Sequence, residues 1–174
     1  MKTIIPAVVS MGWLMAAGCT QEAPGRAAPR SSEPPVVGSK FLLQEEPSGA
    51  DDVIAVRNAA ANGDEVLVVG RIGGGNPWIE DRAAFSIVDT SLKACSDIPG
   101  DACQTPWDYC CETDKLPTST ALVKIVDEND ELIGIDARGL LNVQELSTVV
   151  VQGKAQRDDA GNLTVLTRRV YVRK

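Results

Sequence analysis

The stretch STVVVQGKAQRDDAGNLTVLTRRVYV, residues 147–172, decides the fold. Two arms rich in Val, Leu, Thr and Tyr flank Asp158-Asp159-Ala160-Gly161, which predicts a β-hairpin turning at those four residues. Side chains alternate faces along a strand, so apolar residues on one face keep a single parity. In the second arm they fall at Leu163 and Val165, then at Val170 and Val172. That change of parity requires an extra residue and predicts a β-bulge near Leu166–Arg169. Gly153 in the first arm, with Gly70 and Gly73–Gly75 upstream, sits where barrel strands must bend sharply.

Upstream of the hairpin the chain repeats the same signals. DARGLLNV (136–143) predicts a short helix with an Asp136 cap and Leu140-Leu141 turned inward. ALVKIVD (121–127), AAFSIVD (83–89) and EVLVVGRIG (65–73) read as strands, the last apolar on both faces. SGADDVIAVRNAAAN (48–62) predicts an amphipathic helix, with Ser48 as N-cap, Asp51 and Asp52 in the first turn and Gly63 at the stop. Lys40–Leu43 is a short apolar run expected to dock as a strand.

The order strand, strand, strand, short helix, strand, strand resembles the OB-fold over residues 64–174. VLVVGRIGGG (66–75) looks like that family's coiled first strand, and 147–172 like its closing hairpin. The expected fold class is all-β with minor α. It comprises a five-stranded OB-like Greek-key barrel, an N-terminal helix, a short helix between strands three and four, and a cysteine-rich insertion between strands two and three. The combination VVGRIGG, AAFSIVD, PWDYCC and LSTVVVQGKA is also similar to a group of small exported bacterial proteins that carry no assigned activity.

Lys2 followed by an apolar run from Ile4 to Ala17 reads as a cleavable export signal, too short to span a bilayer as a mature helix. Ala16-Ala17-Gly18-Cys19 resembles the lipobox of bacterial lipoproteins, although Ala16 stands where that family most often has leucine. The resemblance implies diacylglycerol on the Cys19 sulfur, hence an envelope protein anchored to a membrane by its lipid, on the periplasmic face or at the outer membrane. Thr20 in place of aspartate leaves nothing that marks retention at the inner membrane. The expected division is 1–18 signal, 19–39 a disordered Pro/Ser/Ala-rich tether, and 40–174 the OB-like domain with an insertion at 90–117.

The 174 residues carry a formal charge of −7 and no histidine. Acidity disfavours nucleic acid as a partner. The missing histidine removes Ser-His and Cys-His nucleophiles and imidazole zinc sites. Gly73–Gly75 lack the lysine and hydroxyl residue of a phosphate loop and read as a bend. Asp127, Glu128, Asp130 and Glu131 lack the EF-hand pattern and read as a solvated turn. The basic residues of the last hairpin, Arg168 and Arg169 among them, are expected to pair with the acidic remainder or contact a protein.

Four cysteines, Cys95, Cys103, Cys110 and Cys111, fall in the long connection between strands two and three. With Cys19 lipidated, an even number remains, and in an oxidising compartment that points to two disulfides. Joining neighbours Cys110 and Cys111 would strain the ring, so two cross-pairings stay open. A zinc or Cu(I) site and thiol exchange compete with the staple, although the spacing lacks C-x2-C knuckles and C-x-x-C. The chain therefore reads as a non-enzymatic binding or structural module without cofactor, resident metal or catalytic residues. Its partners would be a membrane through the anchor and an envelope protein or small ligand. Arg82 and Phe85 on strand two, with Trp107 and Tyr109 on the stapled loop, are the expected ligand surface. Metal handling or thiol-redox chemistry by the four cysteines is the alternative.

Overall fold

The structure, a computed structural model, describes residues 36–174. The expected signal, Cys19 and the expected tether up to residue 35 lie outside the described residues. Five long strands form a closed barrel: β2 (Glu65–Ile72), β4 (Ala84–Val88), β5 (Thr120–Ile125), β6 (Thr148–Arg157) and β7 (Leu163–Val172). Around the barrel the order is β2-β4-β5-β7-β6 and back to β2. All pairings within the ring are antiparallel except β5 with β7. The ring closes through only two residue pairs between β2 and β4, Arg71 with Val88 and Ile72 with Ile87. Two short strands, β1 (Asp51–Asp52) and β3 (Trp78–Ile79), extend the sheet beside β2 and β4.

The interior is built from the inward parity of each strand. Val68 and Ile72, Phe85 and Ile87, Val123 and Ile125, Val149 and Val151, and Leu163 and Val165 all join one buried cluster. Each such side chain contributes on the order of 1.5–3 kcal/mol on burial. Helices α2 (Val53–Ala59) and α4 (Ala137–Leu141) add Val53, Val56, Leu140 and Leu141 to it. Asp136 caps α4 by accepting from the Arg138 amide at 2.9 Å, as the sequence predicts. A turn of helix, α1 (Val36–Ser39), precedes the expected domain start and contacts α4. The Phe41 and Leu43 region then docks on β7: Leu43 N donates to Val170 O at 2.8 Å, and Val170 N to Phe41 O at 2.8 Å.

The bulge lies where the parity change requires it. Gln152 faces Arg169 and Gly153 faces Thr167, so Arg168 is the extra residue. The buried Thr167 hydroxyl closes it, donating to Gln152 O at 2.7 Å and accepting from the Arg169 amide at 2.9 Å. The first helix differs from expectation. It starts at Val53 rather than near Ser48, because Asp51 and Asp52 are drawn into extended pairing with Val68 and Val69. Ser48 caps nothing there. Among the described residues no helix is long and apolar enough to cross a membrane.

Candidate functional site

The connection from β4 to β5 begins with Asp89, whose carboxylate is almost fully buried. One oxygen accepts from the Ile54 amide at 2.7 Å in the first turn of α2. The other accepts from the Ser91 amide at 3.0 Å and the Ser91 hydroxyl at 2.6 Å. A free N–H group at the start of α2 is thus served from 35 residues away rather than by the preceding chain. At the other end, α3 (Leu116–Ser119) leads into β5, and Asp89 N donates to Ser119 O at 2.8 Å. The long connection therefore leaves and rejoins the barrel at a single polar knot.

Within it, the two cysteine-bearing turns are laid side by side by backbone bonds. Cys95 N donates to Asp108 O at 2.8 Å and Ser96 N to Pro106 O at 2.9 Å. Asp97 folds back on the Ala94 amide at 3.0 Å and forms a two-pronged ion pair with Arg71 of β2. The Arg71 guanidinium holds the Asp97 carboxyl below the usual carboxylate range. Tyr109 anchors the loop in a small apolar cluster with Val88, Leu92 and Ala94, separate from the barrel core. Its ring lies over Gly73, where a Cβ would come within 2.8 Å of the ring and 2.9 Å of Trp107 O. Gly74 N donates to that Trp107 carbonyl at 3.1 Å. The glycines after β2 thus form the expected bend and also the seat on which the loop rests.

This packing brings three sulfurs together. The Sγ atoms of Cys95, Cys103 and Cys110 all lie within 4.8 Å of one another. Cys95 and Cys110 approach to 3.3 Å, which is contact between thiols and longer than the ~2.05 Å of a disulfide. The Cys111 sulfur is 4.0 Å from that of Cys110, and its residue is exposed. No sulfur–sulfur bond is formed among these four. Burial, then the bond to Cys110, pushes the Cys95 thiol up to about 12. Contacts with the Thr105 hydroxyl, 3.3 Å away, and the Thr105 backbone hold Cys103 below the ordinary thiol value. The two environments thus pull the Cys95 and Cys103 thiols in opposite directions.

The residues expected to form a ligand surface are dispersed. Phe85 is fully buried in the barrel, its ring 5.9 Å from that of Trp78, because its strand position points inward between β3 and β5. Tyr109 is also fully buried, held by Gly73 rather than standing as a ledge. Its hydroxyl has no hydrogen-bond partner among the described residues. Trp107 is half-buried, and Arg82 is exposed with its guanidinium turned back to Asp81 O at 3.0 Å. Sequence reasoning missed Asp89 and Arg71, and it placed Asp97 only as an acidic neighbour of a metal-binding cysteine cluster rather than as the partner of Arg71. An Asp at a strand end with Ser two residues on is a turn signal that could have pointed to Asp89; nothing local marks the other two. The acidic turn is a closed Asx-type turn, Asp127 accepting from the Asn129 and Glu131 amides at 2.8 and 3.0 Å. No protein-family model matches this chain, and no curated protein matches it.

Proposed function

We propose that this chain is an exported, lipid-anchored binding or structural module with an OB-like Greek-key barrel, in which the cysteine loop is a rigid, sulfur-stapled insert rather than a catalytic centre. The closure order β2-β4-β5-β7-β6, the parallel β5–β7 pair and a short helix between β5 and β6 support the OB-like reading. The observation that carries the staple is the 3.3 Å approach of the Cys95 and Cys110 sulfurs, the first of them buried, across a loop already aligned by backbone bonds. Oxidation of that pair requires only a small closing movement and would lock the two turns of the loop to each other. Cys19 carries the acyl chains in this reading, and the compartment beyond the inner membrane supplies the oxidant.

A second reading is favoured by the third sulfur. A disulfide needs two, whereas Cys103 joins the pair within 4.8 Å. Three thiolates at Zn–S distances of ~2.3 Å stand ~3.8 Å apart around a tetrahedral ion, a spacing this trio spans. Thiols and metal should be counted on protein isolated from the envelope without reductant. Loss of the Cys95 and Cys110 thiols with no bound metal supports the staple. One equivalent of zinc or copper with all three thiols reduced overturns it in favour of metal handling. Membrane fractionation of wild type and Cys19→Ala tests the anchor, and an unchanged membrane fraction overturns that part.

A further inference from the structure

The bulge in β7 turns both Arg168 and Arg169 outward. In an unbroken strand one of two consecutive residues faces the interior, so the extra residue is what places two guanidiniums on the same surface. Opposite them Gly153 has no side chain, and a Cβ there would lie 2.1 Å from Leu166 O. The result is a cleft of about 510 Å³ with Gly153, Leu166 and Val126 among its lining residues, and with Lys40 and Lys154 joining the two arginines.

The charges of this cleft do not cancel. Arg168 is satisfied, donating to Asp130 at 2.7 Å and to Asp127 O at 2.6 Å. Arg169 reaches only the Gln152 side-chain oxygen, at 3.4 Å. Lys40 lies 4.9 Å from the Phe41 ring centre. Neither lysine nor Arg169 forms an ion pair among the described residues. Three cations that form no ion pair among the described residues, from three segments, thus converge on one concavity in a chain whose formal charge is −7, with Glu65 facing Lys154 across the strands. Such a concentration of like charge is a source of repulsion in the free protein that a multivalent anion relieves.

We propose that this cleft binds a phosphorylated ligand, with Lys40, Lys154 and Arg169 as its contacts and Arg168 holding the wall. A single carboxylate is matched by one arginine fork, whereas a divalent tetrahedral anion suits several cations arriving from different directions. The volume is that of a small-molecule site. Glu65 and Asp130 also line the cleft and interrupt any basic track long enough for a nucleic-acid backbone. The proposal rests on the reading of the chain as a binding module and supplies its ligand class.

The test uses the full chain carrying Cys19→Ser, so that acyl chains play no part. Backbone amide resonances are followed during titration with inorganic pyrophosphate, against sodium chloride at equal ionic strength. Saturable shifts at Lys40, Gly153, Arg168 and Arg169 are expected, weakened about tenfold in Lys154→Gln/Arg169→Gln. The thermal midpoint of that variant serves as the check on folding. Co-sedimentation with phosphatidylglycerol vesicles but not phosphatidylcholine vesicles identifies a lipid headgroup as the source. Pyrophosphate binding without sedimentation identifies a soluble phosphorylated compound. Shifts that do not saturate, that chloride reproduces, or that a folded double variant retains overturn the proposal. Such a failure concerns this cleft alone, whereas failure of the stapled-module reading would appear in the thiol and metal count.

Discussion

Val123 and Tyr109 are both fully buried, but they stand in different company. Val123 belongs to a core fed by every barrel strand and two helices, while Tyr109 shares its cluster with Val88, Leu92 and Ala94 and a few half-buried neighbours. The barrel is held by many interchangeable apolar contacts and a closed ladder. The loop is held by a few contacts with no substitutes: one ring on one glycine, one carboxylate at its root, one ion pair to β2, and the contact between the Cys95 and Cys110 sulfurs. A region of the first kind loses global stability as contacts are removed; a region of the second kind comes loose locally, at identifiable points.

That contrast can be broken at four places. The largest effect is expected from Phe85→Ala, about 3–5 kcal/mol of global stability in denaturant unfolding. A loss under 1 kcal/mol would mean that the barrel core does not carry the fold. Next comes Cys95→Ala in oxidised protein, with a cost of ~3 kcal/mol for opening a loop of 15 residues, shrinking when reductant is present. Equal stability with and without reductant would remove the staple from the account.

Asp89→Ala should cost about 2 kcal/mol, since it leaves the Ile54 amide without its acceptor and unties the loop root. Hydrogen exchange would register it at Ile54 and Ser91 while the β6–β7 amides stay protected. The smallest effect belongs to the Arg71–Asp97 pair. Asp97 has a lowered folded-state pKa, so its contribution is present above the ordinary carboxylate value of about 3.9 and is lost as pH falls through the lowered one. Asp97→Asn should abolish that acid-side loss of loop protection at a cost under ~1 kcal/mol, since both groups are partly exposed. An unchanged acid profile in the variant would mean that the pair does not fasten the loop to β2.

The same contrast explains what the sequence discloses. Barrel strands announce themselves because inward and outward residues alternate locally, and even the bulge at Arg168 follows from the parity of Leu163, Val165 and Val170. Phe85 and Tyr109 show the boundary of such reasoning. An aromatic beside a polar loop reads equally as ledge or anchor, and the deciding neighbour of Tyr109 is Gly73, 36 residues earlier. The start of α2 escapes local reading for the same reason, since its acceptor arrives from Asp89 and its approach is set by pairing with β2. The cysteine count could suggest a staple but not that three of the four sulfurs share one point.

The two-pair seam between β2 and β4 has a kinetic meaning. Each of the other pairings in the ring has at least five residue pairs in register, so the seam is the clasp of the barrel. It joins the strand preceding the glycine bend to the strand from which the cysteine loop departs. Pairings distant in sequence, such as Glu65 with Lys154, make folding slow, and a short seam adds little to hold the ring until they are complete. The clasp is therefore expected to fasten late during folding and to release early under mechanical or chemical stress. The loop that rests on Gly73 sits beside that seam, so the insert is expected to act as a brake on unfolding as well as an ornament of the surface.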